Sequence, residues 1–359
     1  MRKILYISLR ADVGGGPQHL YQLIKLIKRD EFQVYLACPP DEPYYSLFSS
    51  ELENKIILLP HRSFSIRTFF EIVRFCKKNN IDIIHSHGKG AGLYSRLIKF
   101  FIKKVKVYHT FHGIHYQSYG LLKRKIYFLI EKLFSLVTCV SIFVSPGEKS
   151  EAQSLNLLAK GSYSCVVENG VFIPNQRKII AIEDDLVKIV VVSRFDYQKN
   201  TQRLLDIIEY LIKNSNSNFH FDILGEGEDK NFLQSSIPQK NNLTVDFHGN
   251  IPNPDFFYRN AHFILNTSRW EGLPLSVIEA ASYGCVPILS NVVGNIDIIS
   301  RNPKMGLLYN EYNEILEFIK CCITDETIFE ERRRNAYECV NLYFNEQRMS
   351  EKTYALYNK

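Results

Sequence analysis

Short apolar runs alternate with longer amphipathic stretches along the whole chain, and the pattern starts twice. In the first half Lys3–Ser8, Gln33–Cys38, Ile56–Leu59, Asp82–Ser86, Val105–His109 and Val137–Ser141 read as strands. Between them His19–Lys28, Ile66–Lys78, Ala91–Phe101 and Lys123–Phe134 carry apolar residues at helical spacing. The alternation restarts at Val187–Ser193 and continues through Phe219–Leu224, Thr244–His248, His262–Asn266 and Val286–Ser290. A strand that is apolar on both faces must be covered on both, so the pattern predicts parallel sheets flanked by helices. Two starts predict an α/β protein of two doubly wound, Rossmann-like domains, and 359 residues exceed what one hydrophobic core ordinarily serves. The break is expected between Ile173 and Asp185, where Pro174-Asn175-Gln176 interrupts the pattern. Charge also changes sign there: residues 1–170 hold 24 Lys and Arg against 13 Asp and Glu, and the remainder holds 20 against 25. The expected domains are therefore 1–173 and 174–345, followed by a terminal helical segment, 346–359, that reads as helix from Arg348 to Lys359.

Composition excludes several classes. No uncharged apolar run approaches the ~18 residues of a membrane span. The longest, Leu133–Val144, reads as a buried parallel strand. Met1-Arg2-Lys3 followed by Ile4–Leu9 is too short for a signal peptide and reads as the first strand. Eight cysteines form no C-x-x-C pair, and Cys38, Cys139 and Cys285 sit in apolar runs, as reduced cytosolic thiols do. Two basic segments, Arg96–Lys106 and Leu121–Lys132, interleave Lys and Arg with Phe, Ile and Leu. That is the composition of a helix on an anionic membrane surface, and equally of an amphipathic surface helix with snorkelling lysines. No nucleic-acid motif accompanies the charge, so nucleic acid is not an expected partner.

The chemistry-bearing residues cluster at expected strand ends, where open α/β sheets bind ligands. Glu271 and Glu279 frame Glu271-Gly272-Leu273-Pro274-Leu275-Ser276-Val277-Ile278-Glu279, a loop running into a helix. Pro274 suits the first helical position and Gly284 the residue past the end. The helix rises only ~7–8 Å from Pro274 to Glu279, so the two carboxylates can reach two parts of one elongated ligand. The free N–H groups of Leu275 and Ser276 can take a phosphate. Ser193-Arg194-Phe195-Asp196-Tyr197-Gln198-Lys199-Asn200 offers a guanidinium fork and an ammonium on one loop, enough to hold a diphosphate without a metal. Gly14-Gly15-Gly16 follows the first strand and precedes a helix, but lacks both the dinucleotide fingerprint and the Walker lysine. His109-Thr110-Phe111-His112-Gly113 and His85-Ser86-His87-Gly88 follow two further strands. His85 and His87 have no carboxylate nearer in sequence than Asp82 and no close Cys, so a metal site is rejected there.

The Glu271-x7-Glu279 element resembles the Glu-x7-Glu signature of the retaining family-four glycosyltransferases, which have the GT-B fold of two Rossmann-like domains facing across a cleft. Other motifs follow in the family's order over nearly the whole chain. Gly15 and Gly16 resemble its glycine-rich loop at the donor phosphates, and His112 its active-site histidine. Arg194 and Lys199 resemble its phosphate-binding pair, with Asn200 where Gly often follows. Gly249 and Asn250, in His248-Gly249-Asn250, and the turn Gly225-Glu226-Gly227 resemble the turns lining the nucleotide. Glu168-Asn169-Gly170-Val171 resembles the turn closing the first domain and is read as structural. Val293-Gly294-Asn295-Ile296-Asp297 departs from the usual Gly-Gly-x-x-Glu. The resemblance implies catalytic roles for Glu271, His112, Arg194 and Lys199. It implies donor contacts from Gly15, Gly16, Arg194, Lys199, Gly249, Asn250, Leu275, Ser276 and Glu279, acceptor-side places for His85 and His87, and a final helix crossing back to the first domain. It implies a UDP- or GDP-sugar substrate, no cofactor and no metal. With the basic first half, it points to a lipid-linked saccharide acceptor, an anionic membrane surface and peripheral placement on the inner face of the cytoplasmic membrane, in surface polysaccharide assembly of the O-antigen or capsule type. A GT-B nucleotide-sugar epimerase and a non-catalytic partner subunit remain as alternatives.

Overall fold

In the computed structural model, residues 1–53, 55–175, 180–183 and 185–358 are described. The chain divides into two compact units, Met1–Asn169 with Glu346–Lys359, and Gly170–Asn345. The division falls between Asn169 and Gly170, earlier than the expected break at Ile173–Asp185; of that break, Gln176 lies outside the described residues, as does Lys359 of the expected last helix.

Unit 1 holds a parallel sheet of seven strands: β1 (Arg2–Ser8), β2 (Phe32–Cys38), β3 (Ile56–Leu58), β4 (Ile83–His87), β5 (Lys106–Thr110), β6 (Val140–Phe143) and β7 (Ser164–Val166), in the order β3-β2-β1-β4-β5-β6-β7. Its helices are α1 (Gly15–Leu26), α2 (Tyr44–Leu52), α3 (Ile66–Asn79), α4 (Lys89–Phe101), α5 (Leu121–Ser135) and α6 (Pro146–Ser154). The period-two geometry of a strand divides its core cleanly. Ile4, Tyr6, Val34, Leu36 and Tyr108 pack into one cluster, and Leu5, Ile7, Tyr35, Ala37 and Val107 into another on the opposite face. The apolar run Leu133–Val144 is not one strand. Leu133 and Leu136, both exposed, end α5 and its cap, and only Val140–Phe143 enters the sheet. Cys139, expected inside, is exposed.

Unit 2 repeats the topology with six parallel strands: β8 (Leu186–Val192), β9 (Asn218–Leu224), β10 (Leu243–Gly249), β11 (Phe263–Asn266), β12 (Val286–Ser290) and β13 (Leu307–Tyr309), ordered β10-β9-β8-β11-β12-β13. Its helices are α7 (Thr201–Asn214), α8 (Lys230–Ser236), α9 (Asp255–Asn260), α10 (Leu275–Ser282), α11 (Asn295–Ile299), α12 (Tyr312–Thr324) and α13 (Glu326–Tyr343). In each sheet the order reverses beside the first strand, between β1 and β4 and between β8 and β11. Loops leaving the two neighbouring strands diverge at such a point and open a crevice over their carboxyl ends.

The last helix, α14 (Glu346–Tyr357), belongs to unit 1. Met349, Tyr354, Leu356 and Tyr357 join the cluster that covers β1, β2 and α1, each contributing roughly 1.5–3 kcal/mol by burial. Tyr357 also brings polar order: its hydroxyl contacts His85 Nδ1 and lies 3.1 Å from Tyr6 Oη. Tyr357→Phe keeps the ring but strands a buried imidazole nitrogen. Equilibrium urea unfolding is expected to show a loss of ~1–3 kcal/mol; an unchanged midpoint would exclude this anchoring role.

Candidate active site

In unit 2 the loops after β8 and β11 meet over the switch point. Glu271 is 8% exposed. Its Oε1 accepts from Lys199 Nζ, from Ser268 Oγ at 2.6 Å and from Asn266 Nδ2 at 3.3 Å. Burial pushes this carboxyl's pKa up, but the Lys199 charge and the three hydrogen bonds outweigh it and leave it below the ordinary value. Glu271 is thus a buried carboxylate held ionised. Arg194 lies on the same β8 loop, its Nη2 3.0 Å from Gln198 Oε1 and 3.2 Å from Asp196 Oδ2. Gln198 Nε2 in turn donates to the carbonyl of Trp270 at 3.1 Å, tying the two loops together beside Glu271.

The backbone explains why these loops hold their shape. Asn200 caps α7 in the left-handed conformation, φ 59°, which Asn tolerates where Gly is otherwise usual. Gly225 has φ 128°, and an added Cβ there would lie 1.8 Å from the Ser193 carbonyl oxygen. That close approach lets Phe195 N–H bond Glu226 O at 3.1 Å and Gly225 N–H bond Gly249 O at 2.7 Å, so the Arg194 loop rests on the turn at Gly249 and exposed Asn250. Gly294 has φ 85°, and a Cβ there would meet the Gly272 carbonyl oxygen at 2.6 Å and Glu271 Cβ at 3.1 Å. The loop that departs from the family pattern therefore forms and packs directly on the Glu271 loop.

Pro274 is the N-cap of α10 rather than its first helical residue. Proline has no side-chain acceptor, so the first N–H groups, Leu275 and Ser276 among them, receive no side-chain cap. Gly284 follows the helix with φ 86°, as its sequence position implies. Glu279 is half-buried on α10 and accepts from Tyr258 Oη at 3.4 Å.

In unit 1 the strand-end histidines divide into two kinds. His85 is fully buried, with Nδ1 engaged by Tyr357 and Nε2 2.8 Å from Thr110 Oγ1. Both ring nitrogens are used, so the expected acceptor-side position of His85 is instead part of the framework. His87, two residues on and on the same face, has Nδ1 3.1 Å from His112 Nε2. His112 sits at φ 61°, its loop pinned where Glu148 accepts from Gly113 N–H. Burial first, then neighbouring imidazoles, hold His87 and His112 well below the ordinary histidine pKa, so both are neutral near pH 7. The glycine segment is not an open loop: Gly15 and Gly16 form the first turn of α1, after Gly14 as N-cap.

Several residues escaped the sequence reading. His19 on α1 joins His87 and His112, its ring 4.7 Å from His112 and its Nδ1 3.0 Å from Asn169 Oδ1. Asn169 lies in the turn read as structural. Asn266 Oδ1 gathers Ser268 N–H at 3.1 Å and Asn295 Nδ2 at 3.0 Å. Polar residues at the end of apolar β11 and β12 were the available signal.

Residues 172–338 match the family described as Glycosyl transferases group 1, and residues 13–172 match Glycosyltransferase Family 4. The chain belongs to the family-four glycosyltransferases. This glycosyltransferase is 24% identical to the UDP-Gal:alpha-D-GlcNAc-diphosphoundecaprenol alpha-1,3-galactosyltransferase of Escherichia coli, over 99% of this chain and 96% of that protein. It is 25% identical to the capsular polysaccharide biosynthesis glycosyltransferase CapH of Staphylococcus aureus, over 83% and 84%. Its fold is similar to that of Anabaena HepE, solved in complex with UDP-glucose, with a TM-score of 0.83 at 16% identity over all of both chains. The two α/β units are the domains of the GT-B fold. Of the readings the sequence left open, the transferase is the one that family membership supports over epimerase or inactive subunit.

The Lys199–Glu271 pair makes a pH prediction. The folded pKa of Glu271 lies below its unfolded value of about 4.3, so its contribution to stability is present above that value and lost as pH falls through the folded one. In Lys199→Met the burial stays and the counter-charge goes, so the carboxyl pKa rises. The variant is expected to be less stable by ~3–5 kcal/mol at neutral pH and to recover as the carboxyl protonates. Urea unfolding across pH 4–8 (about the range over which the carboxyl would titrate) checks this, and a variant profile parallel to the parent's would count against the pairing.

Proposed function

We propose that this glycosyltransferase moves a sugar from a nucleoside-diphosphate sugar to a lipid-linked saccharide, with retention at the anomeric carbon, in assembly of a bacterial surface polysaccharide of the O-antigen or capsule type. The observation that carries the reading is the buried, ionised Glu271 beside Lys199, with Arg194 on the same loop and uncapped N–H groups on α10. This arrangement suits cleavage at a diphosphate. The bond from the anomeric carbon to the phosphate oxygen breaks, and its electron pair leaves with the phosphate. Arg194, Lys199 and the Leu275 and Ser276 N–H groups neutralise that charge without a divalent cation. Glu271 holds sugar hydroxyls and favours the positive charge on the anomeric carbon, while Glu279 takes the ribose hydroxyls. The acceptor hydroxyl attacks on the face the phosphate leaves, and its proton passes to the departing phosphate oxygen. Unit 1 binds the acceptor, with His87 at the end of β4 on that side, and His112 is a catalytic residue that contacts the sugar or the phosphate.

The acceptor class draws support from the Escherichia coli relative, whose name specifies a UDP-Gal donor and a diphosphoundecaprenol-linked acceptor. It also draws support from unit 1. Helix α5 leaves Leu121, Leu122, Leu129 and Leu133 exposed beside exposed Lys123, Lys125 and Lys132. Phe100 and Phe101 are likewise exposed at the end of α4. Among the described residues no helix is long and apolar enough to cross a membrane. Leucines with basic neighbours suit a helix lying in the headgroup layer, and we place the protein peripherally on the inner face of the cytoplasmic membrane.

Nucleotide release from UDP- and GDP-sugars, with and without membrane lipid extract, tests the reaction. Extract-dependent release from one donor is expected, undiminished by EDTA, and Glu271→Ala is expected to lower it at least ~10²-fold with unchanged circular dichroism. Near-normal turnover in that variant would overturn the assignment of Glu271. For the membrane, the protein is expected to float with vesicles containing anionic phospholipid. Replacing Leu121, Leu122 and Leu129 with Ser is expected to abolish flotation, and equal flotation of parent and variant would refute the α5 surface.

A further inference from the structure

The transfer chemistry leaves the carboxylate of Glu148 unused, yet that residue is almost wholly out of water, at 1% exposure. It lies in the first turn of α6, where Ser145 Oγ accepts its N–H at 3.1 Å and caps the helix. Ser-x-x-Glu at a helix start reads as an ordinary capping pair. The side chain reaches further than that. Oε2 accepts from the N–H of Val144, just past β6, at 2.7 Å, and Oε1 accepts from the N–H of Gly113 in the loop after β5. One buried side chain thus ties the ends of two neighbouring strands to the start of a helix.

The backbone at the far end of that tie needs holding. Phe111 N–H is bonded to Ile142 O at 3.1 Å, and the Phe111 ring stacks on Phe143 at 4.7 Å. His112 and Gly113 then leave the ladder with φ of 61° and 102°. Glycine takes such angles freely, but a side chain crowds the backbone there, so the histidine persists only where its surroundings enforce it. The buried N–H of Gly113 needs an acceptor, and a carboxylate has one oxygen for it and another for Val144. Returning His112 to an ordinary backbone region would swing the Gly113 N–H off Glu148. It would also carry the imidazole away from His19 and His87, whose rings it meets at 4.7 and 5.3 Å. The hydrogen bond at Gly113 therefore fixes where the His112 ring stands.

We propose that Glu148 is a positioning residue for the transfer reaction: its carboxylate, through the Gly113 N–H, locks His112 in the left-handed conformation from which the imidazole meets the sugar or the phosphate. The inference rests on the catalytic place given to His112 above. Glu148 itself touches no reacting atom. The role needs both oxygens as acceptors. In Glu148→Gln the volume stays, but one oxygen becomes an NH2 that faces an N–H, so the clamp is lost. Glu148→Asp keeps the carboxylate and shortens its reach by a methylene.

Two readouts test the proposal. Labelling histidine carbonyls with ¹³C and glycine nitrogens with ¹⁵N selects the amides of Gly88, Gly113 and Gly249, which follow histidines. In Glu148→Gln the Gly113 proton is expected to move upfield and to exchange at least about 10-fold faster than in the parent, while Gly249, in unit 2, stays. Transfer is then measured for Glu148→Gln and Glu148→Asp, each with and without His112→Ala. With His112 present, each is expected to lower kcat about 10–100-fold at little change in donor KM. In the His112→Ala background the further loss is expected to be under about 2-fold, since a position already removed cannot be lost again. Circular dichroism confirms folding, and Glu148→Asp carries the comparison if Glu148→Gln does not fold. Equal losses in both backgrounds would show that Glu148 serves the fold at large and would overturn the proposal. So would an unmoved Gly113 signal, or parent-like kcat in the folded variants. If the parent transfers from no donor, the reaction reading fails by itself, and the Gly113 signal still decides the clamp.

Discussion

A carboxylate cannot stay charged out of water without compensation, and much of the local structure around unit 2's switch point provides it for Glu271. Removing such an ion from water costs several kcal/mol even after relaxation. Lys199 supplies the opposite charge, and Ser268 and Asn266 supply dipoles. Those groups need holding in turn. Asn266 Oδ1 is fixed by Ser268 N–H and Asn295, Ser290 Oγ donates to Ser268 O at 2.8 Å, and Tyr309 Oη donates to Asn266 O at 3.0 Å. The ends of β11, β12 and β13 thereby turn polar together, and Gly294 brings the next loop close enough to close over Glu271.

Unit 1 meets the same topology with a different chemistry. Its switch point is lined by imidazoles that burial keeps neutral, His19 down to about 4, with no carboxylate among them. Among the described residues of that unit the most deeply buried charged pair, Arg96 with Glu131 at 2.7 Å, joins α4 to α5. One crevice is thus built to manage ionic charge and the other to present lone pairs and donors. A nucleotide diphosphate suits the first, and sugar hydroxyls suit the second.

The architecture was legible because both sheets are buried on both faces, so each long strand appears as an apolar run with a helical period beside it. Short edge elements were not. β7 and β13 span three residues each, too few for a period, and α2 has little amphipathic contrast. Leu133–Val144 misled because α5 keeps leucines on its exposed side, so hydrophobicity there did not signal burial. Glu271, Lys199 and Arg194 were legible from their spacing and the family resemblance. Asn266, Ser290 and Asn295 were not, since a polar residue at a strand end reads as an ordinary turn. His85 illustrates the opposite error: its position suggested a ligand contact, but Tyr357, far away in sequence, consumes its ring.

The two cations of the β8 loop are not equivalent, although the sequence presents them as a pair. The Lys199 side chain is 16% exposed and bound to a carboxylate that is 7% exposed. Moving it away to meet a phosphate would leave that carboxylate uncompensated, which costs more than a new surface ion pair returns. Arg194 is 40% exposed, and its partners, Asp196 and Gln198, are within reach of water when it departs. It can therefore turn toward a diphosphate at little cost. Lys199, by contrast, stays with Glu271, and in the proposed reaction it meets the phosphate from there. In the proposed reaction a phosphate oxygen sharing that ammonium is a like charge beside Glu271 and pushes the carboxyl pKa up, so the more exposed Arg194 is the cation better placed to carry the diphosphate's charge.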